Sequence, residues 1–310
     1  MFTTVTLNPA LDKLLETDQI HVGEINRTRM LSESPAGKGI DVAKVMRDLN
    51  QDVTATGFLG GPVAPVFREC FRVEKITDRF VKIAGSTRTN VQLFEKSGRR
   101  TEFLEKGPEV TRREYAELLE TVRELAKKST VVTLCGSVPV GIQEADFREL
   151  MRAAREGGAH LVTDTSGEML RVAISEKPDL IKPNRSEMME LMGRENAADE
   201  EITAFARELV SQGVRNVLVS LGKDGAMLVC GQGVWRGAAP DVEVKSTLGC
   251  GDTMVASMSV SMEENLHPAE MLRRAIALSS ANAMTFETAH ILPGDYEAVL
   301  SRCSVEKIAE

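Results

Sequence analysis

From Thr111 to Gly225 the chain alternates short apolar runs with helix-length periodic segments, and this alternation restricts the fold more than any other feature. Thr111 with Glu114 is a capping-box signature, followed by one apolar face of Tyr115, Leu118, Leu119, Val122 and Leu125. Val131 to Leu134 reads as a strand entering Gly136-Ser137-Val138-Pro139-Val140-Gly141. A helix with Phe147, Leu150, Met151 and Ala154 follows and stops at Gly157-Gly158. Leu161-Val162 leads to Asp164, and Leu180-Ile181 reaches Lys182-Pro183-Asn184. A further helix (Ile202, Phe205, Ala206, Leu209, Val210) stops at Gly213, and strand Val217 to Val219 enters Ser220-Leu221-Gly222-Lys223-Asp224-Gly225. Strands separated by helices of this length predict an α/β fold with a doubly wound, mostly parallel sheet flanked by helices.

The N-terminal part adds strands of another kind. Phe2 to Leu7 reads as a buried strand ended by Asn8-Pro9, with Asp12 just past its C-terminal end. Residues 14–33 look like short strands off the main body. Thr87-Arg88-Thr89-Asn90 opens an alternating segment that turns at Lys96-Ser97-Gly98-Arg99 and returns to Leu104. Together they predict a small β-layer inserted into one domain covering 1–310. No repeat, low-complexity run or linker divides the chain.

Two glycine turns open helices. Pro35-Ala36-Gly37-Lys38-Gly39-Ile40-Asp41 precedes Val42, Val45, Met46 and Leu49 at helical spacing. It is not a Walker A loop, because no Ser or Thr follows Lys38. The second is Ser246-Thr247-Leu248-Gly249-Cys250-Gly251-Asp252-Thr253, with Val242 and Val244 before it as a strand end and Met254, Val255, Met258 and Met262 after it as a helix. Free N–H groups and the positive dipole end at such a helix start receive an anion. A carboxylate in the same turn repels phosphate, but suits a base that takes a proton from a hydroxyl attacking a phosphoryl group. The plainer reading makes Asp252 an ordinary helix cap. Asp12, Gly37 to Gly39, Ser137, Lys182, Asn184, Gly222 to Gly225 and Asp252 each follow a strand, so they converge on one edge of the sheet, where ligands bind in such folds.

Composition narrows the chemistry. A net charge of −8 argues against a nucleic-acid or acidic-membrane binder. Five scattered cysteines without a CxxC pair indicate neither a disulfide framework nor a zinc site, which fits a reducing cytoplasm. The sequence has no signal peptide and no membrane-spanning apolar run. His21, His160, His267 and His290 share no metal or triad spacing.

Four blocks together resemble the PfkB (ribokinase-like) carbohydrate kinases over essentially the whole chain. They are Thr6-Leu7-Asn8-Pro9-Ala10-Leu11-Asp12, Ala36-Gly37-Lys38-Gly39-Ile40-Asp41-Val42-Ala43, Lys182-Pro183-Asn184-Arg185-Ser186-Glu187 and the Gly249 octet. Within the family they are most similar to the hexose-phosphate branch of 1-phosphofructokinases, tagatose-6-phosphate kinases and 6-phosphofructokinases. The resemblance implies that Asp252 is the base and that Gly249, Cys250 and Gly251 form an anion hole. It implies sugar contacts at Asp12, Gly37, Lys38, Gly39, Asp41 and Ser137, and a contact of Arg88 with the phosphate already on the sugar. Lys182, Asn184, Ser220, Gly222, Gly225, Thr247 and Asn282 would serve ATP, and Glu187 would reach Mg²⁺ through water. Residues 14–33 and 88–105 would form a lid that also joins a homodimer. The implied reaction is ATP-dependent phosphorylation of a ketohexose monophosphate, fructose 1-phosphate to fructose 1,6-bisphosphate first. Tagatose-6-phosphate kinase is the alternative, and a catalytically silent sugar-phosphate sensor the reading from another class. The chain departs from the family at Cys250, where a small residue is usual, at Asp41, where Asn is usual, and at Pro62-Val63-Ala64-Pro65.

Overall fold

The computed structural model describes residues 1–310, the side chain at 293 excepted. The strands Phe2–Thr6 (β1), Val53–Gly60 (β4), Val131–Cys135 (β9), His160–Asp164 (β10), Leu180–Ile181 (β11) and Asn216–Ser220 (β12) pair in parallel in the order β12-β11-β10-β9-β1-β4. Thr77–Asp78 (β5) and Val81–Ile83 (β6) pair with β4, again in parallel. Beyond β12 the sheet turns antiparallel through Ala226–Cys230 (β13), Gly233–Gly237 (β14) and Val305–Ala309 (β15). Both faces of the parallel part are covered, so its strands need no polar face: β1, β4 and β9 are buried at every position.

Helices Lys38–Asp48 (α1), Ala64–Val73 (α2), Cys250–Glu263 (α8), Pro268–Ala283 (α9) and Pro293–Leu300 (α10) cover one face. Arg112–Ala126 (α3), Glu144–Arg155 (α4), Gly167–Ser175 (α5), Arg185–Met192 (α6) and Asp199–Ser211 (α7) cover the other. The Thr111–Glu114 capping box read from the sequence starts α3. Helix α8 is buried from Thr253 through Met262, as a helix that is apolar around most of its circumference must be.

A separate four-stranded sheet, in the order β3-β2-β7-β8, is built from Ala10–Thr17 (β2), Arg29–Ala36 (β3), Arg88–Glu95 (β7) and Arg100–Leu104 (β8). Asp12 therefore lies within β2 instead of just past the end of β1, because the chain re-enters extended structure as soon as it has turned at Asn8-Pro9. A second expectation also fails. Val242 and Val244 lie in an irregular segment with no strand, and Val244 is exposed. The backbone there bonds to a helix end instead: the N–H groups of Lys245 and Ser246 both donate to the Ala283 carbonyl, at 2.8 and 3.2 Å.

Candidate active site

Parallel register sets the edge of the site. Thr6 pairs with Cys135 and Cys135 with Asp164, so β1, β9 and β10 end on one line. Just beyond that line a cavity of about 1430 Å³ opens between the first turns of α1 and α8 and the inner face of the small sheet.

Helix α8 starts at a tight turn. Gly249 caps it at φ +77°, where a side chain would meet the Ala289 nitrogen at 2.8 Å, so both the angle and the space require glycine. Among the described residues, no backbone carbonyl receives the N–H groups of Gly251 and Asp252. These are the free donors of a helix start, and Asp252 faces the cavity beside them. Cys250 does not face the cavity: its N–H donates to the Thr247 carbonyl at 3.4 Å, and its thiol turns toward the Ser279 carbonyl oxygen at 3.4 Å. Asn282, fully buried, does not line the cavity. It stands behind the turn and donates from Nδ2 to the Leu248 carbonyl at 2.7 Å, so it supports the loop.

The charges beneath the turn are balanced around a residue that the motif reading left without a role. Asp164, wholly buried, receives Lys38 Nζ at 3.1 Å and has Lys182 Nζ at 3.4 Å from its other oxygen. Lys182 is itself buried, and its Nζ lies 3.0 Å from where a side chain on Gly251 would begin. Glycine at 251 is what lets this ammonium reach the helix start. Burial pushes the Asp164 carboxyl up, but Lys182 and Lys38 together hold it below the usual carboxylate range. Burial works against the Lys38 charge, while Asp164, then Asp252 and Glu187, hold its pKa above the ordinary lysine value. Asp252 goes the other way. Burial, followed by the charges of Asp41 and Asp164, pushes its carboxyl well above the usual range against the pull of Lys38 and Lys182. Lys38 thus belongs to this charge cluster with Asp164 and Asp252.

The residues read as sugar contacts meet on the cavity wall, with one exception. Asp12 receives Asn90 Nδ2 at 2.9 Å, and both side chains line the cavity with Gly37, Arg88 and Ser137. Ser137 Oγ accepts from Asn8 Nδ2 at 3.2 Å. Arg88 spends three of its five N–H groups on the carbonyls of Asn8 and Glu105 and keeps two for the cavity. Asp41 is buried and receives Lys44 Nζ at 3.3 Å, and Lys44 also donates to the Pro35 carbonyl at 2.8 Å. Gly39 is the exception, since it packs against β1: a side chain there would strike Thr6 Oγ1 at 2.4 Å. Asn90 and Lys44 were not marked by the motifs. Both stand one helix turn or one strand over from marked residues, which is the signal that could have found them.

Among the residues read as nucleotide contacts, Lys182 and Thr247 adjoin the α8 turn. Asn184 and Glu187 cap α6 reciprocally, each taking the other's backbone N–H at 2.8–2.9 Å. Ser220 bridges to this segment, its N–H donating to the Pro183 carbonyl at 3.1 Å. Gly222 follows at φ +62° with open space beside it. Gly225 instead lets the chain pass Gly237, whose carbonyl oxygen would lie 2.0 Å from a side chain. Among the described residues no cluster of three His, Cys, Asp or Glu side chains could hold a metal alone. Glu187, which commits only its Oε2 to the α6 cap, suits a Mg²⁺ that arrives on phosphates and keeps water ligands.

Residues 5–294 match the model of the pfkB family carbohydrate kinases. The chain is 30% identical to a tagatose-6-phosphate kinase of Staphylococcus epidermidis, over 99% of this chain and all of that one. It is 32% identical to the 1-phosphofructokinase of Bacillus subtilis, over 93% of this chain and 94% of that protein. Phosphofructokinase-2 of Escherichia coli, solved with substrates and products, superposes with a TM-score of 0.90 at 29% identity, over 97% of this chain and 98% of that one. A ribokinase of Thermotoga maritima shares the fold, with a TM-score of 0.79 at 18% identity, over 97% of this chain and 99% of that one. A ribokinase-like fold, a carboxylate beside free amides at a helix start, and a family match across nearly the whole length lead to one conclusion: the chain belongs to the pfkB family of carbohydrate kinases and is a phosphotransferase with an alcohol acceptor.

Proposed function

We propose that this kinase transfers the γ-phosphoryl group of ATP to a ketohexose monophosphate, fructose 1-phosphate first, giving fructose 1,6-bisphosphate. The observation that carries the reading is Asp252, which faces the cavity within the same helical turn as the unbonded N–H groups of Gly251 and Asp252. Asp252 takes the proton of the sugar hydroxyl as that oxygen bonds to the γ-phosphorus and the bond to the β–γ bridging oxygen breaks. The free amides, Lys182 and Lys38 face the charge that develops, so little else is asked of the protein. When bound, Mg²⁺ would neutralise phosphate charge, and Glu187 would hold one of its water ligands. Asp12, Asn90 and Asp41 accept from or donate to sugar hydroxyls, and the two remaining Arg88 N–H groups receive the phosphate already on the sugar.

We assign the small sheet the role of a lid that excludes water, with its outward apolar side chains as the contact of a homodimer. Val22, Ile25 and Phe103 are exposed at 95%, 89% and 58%. A tetrameric inhibited form of Escherichia coli phosphofructokinase-2 supports an oligomer, though not this contact. Among the described residues no helix is long and apolar enough to cross a membrane, and a cytoplasmic site of action suits the free cysteines. Tagatose 6-phosphate is the competing acceptor, favoured by the full-length match to a kinase named for it. ADP release measured over fructose 1-phosphate, fructose 6-phosphate, tagatose 6-phosphate and the unphosphorylated sugars tests the reading. The highest kcat/KM should fall on fructose 1-phosphate. A preference for an unphosphorylated sugar, or no turnover at all, contradicts it.

A further inference from the structure

Three residues outside the family motifs meet behind the anion hole. Asp48, at the C-terminal end of α1, accepts the Ile291 backbone N–H at 2.9 Å on Oδ2, and His290 Nδ1 lies 3.2 Å from the same oxygen. Asp48 is four-fifths covered and is more than 240 residues away in sequence, so this bond joins two distant parts of the chain. Between the latched residues and the catalytic turn sits Ala289. It is buried and held at φ +57°, a left-handed backbone that alanine adopts only when its surroundings impose it. The Ala289 nitrogen and Thr288 Cγ2 are the atoms that crowd Gly249, at 2.8 and 3.1 Å from where its side chain would begin. Gly249 therefore rests directly on the Ala289 backbone and the Thr288 methyl group. From the other side, the turn is held by Asn282 through Leu248.

We infer that Asp48 is a positioning residue for phosphoryl transfer. By gripping Ile291 and His290 it fixes the left-handed Ala289, and Ala289 in turn fixes the Gly249 turn whose amides face the transferred group. The inference rests on the reading of that turn as the anion hole. Asp48 also lines the cavity, but its Oδ2 is committed to the latch. Its action on a substrate bound near Asp252 runs through the loop.

The geometry makes a kinetic distinction. Anion-hole contacts form fully only in the transition state, so disturbing them lowers kcat and leaves ground-state binding alone. Asp48→Ala should lower kcat about 10- to 100-fold, the cost of displacing catalytic groups by a fraction of an ångström to an ångström. The KM values for Mg-ATP and sugar phosphate should stay within about twofold on the same argument. Asp48→Asn keeps an oxygen for the Ile291 N–H and should recover most of the rate, as well as supplying a variant that folds if the alanine does not. Asp52→Ala serves as the control for charge lost near the same helix end, since Asp52 is 96% exposed and pairs only with Arg47 among the described residues. It should change nothing.

Amide hydrogen exchange of the ligand-free proteins gives a readout that needs no activity. Peptides covering 246–252 and 286–292 should exchange faster in Asp48→Ala than in wild type or Asp52→Ala. Unchanged exchange in both peptides overturns the latch, whatever the kinetics. Faster exchange with kcat unaltered keeps the contact but overturns its catalytic role. Wild-type protein that turns over no ketohexose phosphate refutes the proposed function, and the exchange result then still decides the latch.

Discussion

The turn that carries Asp252 and the small sheet that faces it are built in opposite ways. Behind the turn, α8 is buried for ten successive residues, Thr253 to Met262, and the turn is gripped by Asn282, Ala289 and the Lys182–Asp164 pair. In the small sheet, β3 is exposed from Arg29 to Glu33 and β8 is exposed at four of its five residues. Phe103 of β8, and Val22 and Ile25 in the connection between β2 and β3, are open to solvent. The difference divides the labour of a kinase. The proposed base stands at the start of a helix buried along most of its length, where a displacement is costly. The groups proposed to admit and cover the sugar stand on a sheet whose outer strands are largely exposed. Arg88 and Asp12 lie where the two meet, at the start of β7 and of β2.

Four substitutions sharpen or break this comparison. The largest effect belongs to Asp252→Asn, which should lower kcat by at least about 100-fold with little change in either KM. The same change should stabilise the free protein. With its carboxyl raised in the folded state, the folded form holds an extra proton above the ordinary carboxylate value of about 4, so stability falls as pH rises through that window. Asparagine removes this penalty, and the Tm advantage of the variant should grow from pH 4 upward. A lower Tm at neutral pH would mean that the carboxylate is stabilised where it stands. Next comes Arg88→Ala, expected to weaken sugar-phosphate binding by about 2–5 kcal/mol, the range for breaking a desolvated charge pair. Its KM for ATP should hardly move; equal losses on both substrates would take Arg88 off the sugar.

The sequence carried the local parts of this site and not the distant ones. A glycine turn opening a helix is written in consecutive residues, so Gly37, Gly249, Gly251 and Asp252 were legible. So were the alternating strands, because burial on both faces leaves long apolar runs such as β4 and β9. Asp164 was visible only as a residue after a strand. Its role comes from lysines 126 residues before it and 18 residues after it, brought together by the order β11-β10-β9-β1. Motif positions do not reveal which side of a loop faces the cavity, so Gly39 and Asn282 read from the sequence as ligand contacts. Packing put one against β1 and the other behind Leu248. The strand assigned before Ser246 failed for a related reason. Two valines at alternate positions satisfy the pattern, but the backbone there found its partner at the end of α9.

The third substitution tests the open side of the comparison. Phe103→Asp adds charge to an exposed apolar position of the small sheet. It should halve the mass in solution, measured by light scattering during gel filtration, and lower kcat less than about tenfold if the lid still closes on each chain. An unchanged mass would contradict the proposed dimer contact. The smallest effect is expected at Cys250. Its thiol packs toward Ser279 and Asn282, and burial raises its pKa, so it is neither exposed nor ionised as a reactive thiol requires. Cys250→Ala should keep kcat within about twofold, as a small apolar exchange beneath an intact turn. Loss of turnover in that variant would show that the side chain, and not the backbone alone, serves the anion hole.

The central claim is that Asp252 acts on the reacting hydroxyl and not on binding. Rapid-quench single turnover tests it most directly, with wild type and Asp252→Asn each preloaded with fructose 1-phosphate and mixed with saturating Mg-ATP. The account predicts that both proteins bind both substrates with similar affinity and that bisphosphate forms at least about 100-fold more slowly on the variant. Transfer at the wild-type rate by a variant that has bound both substrates would contradict it.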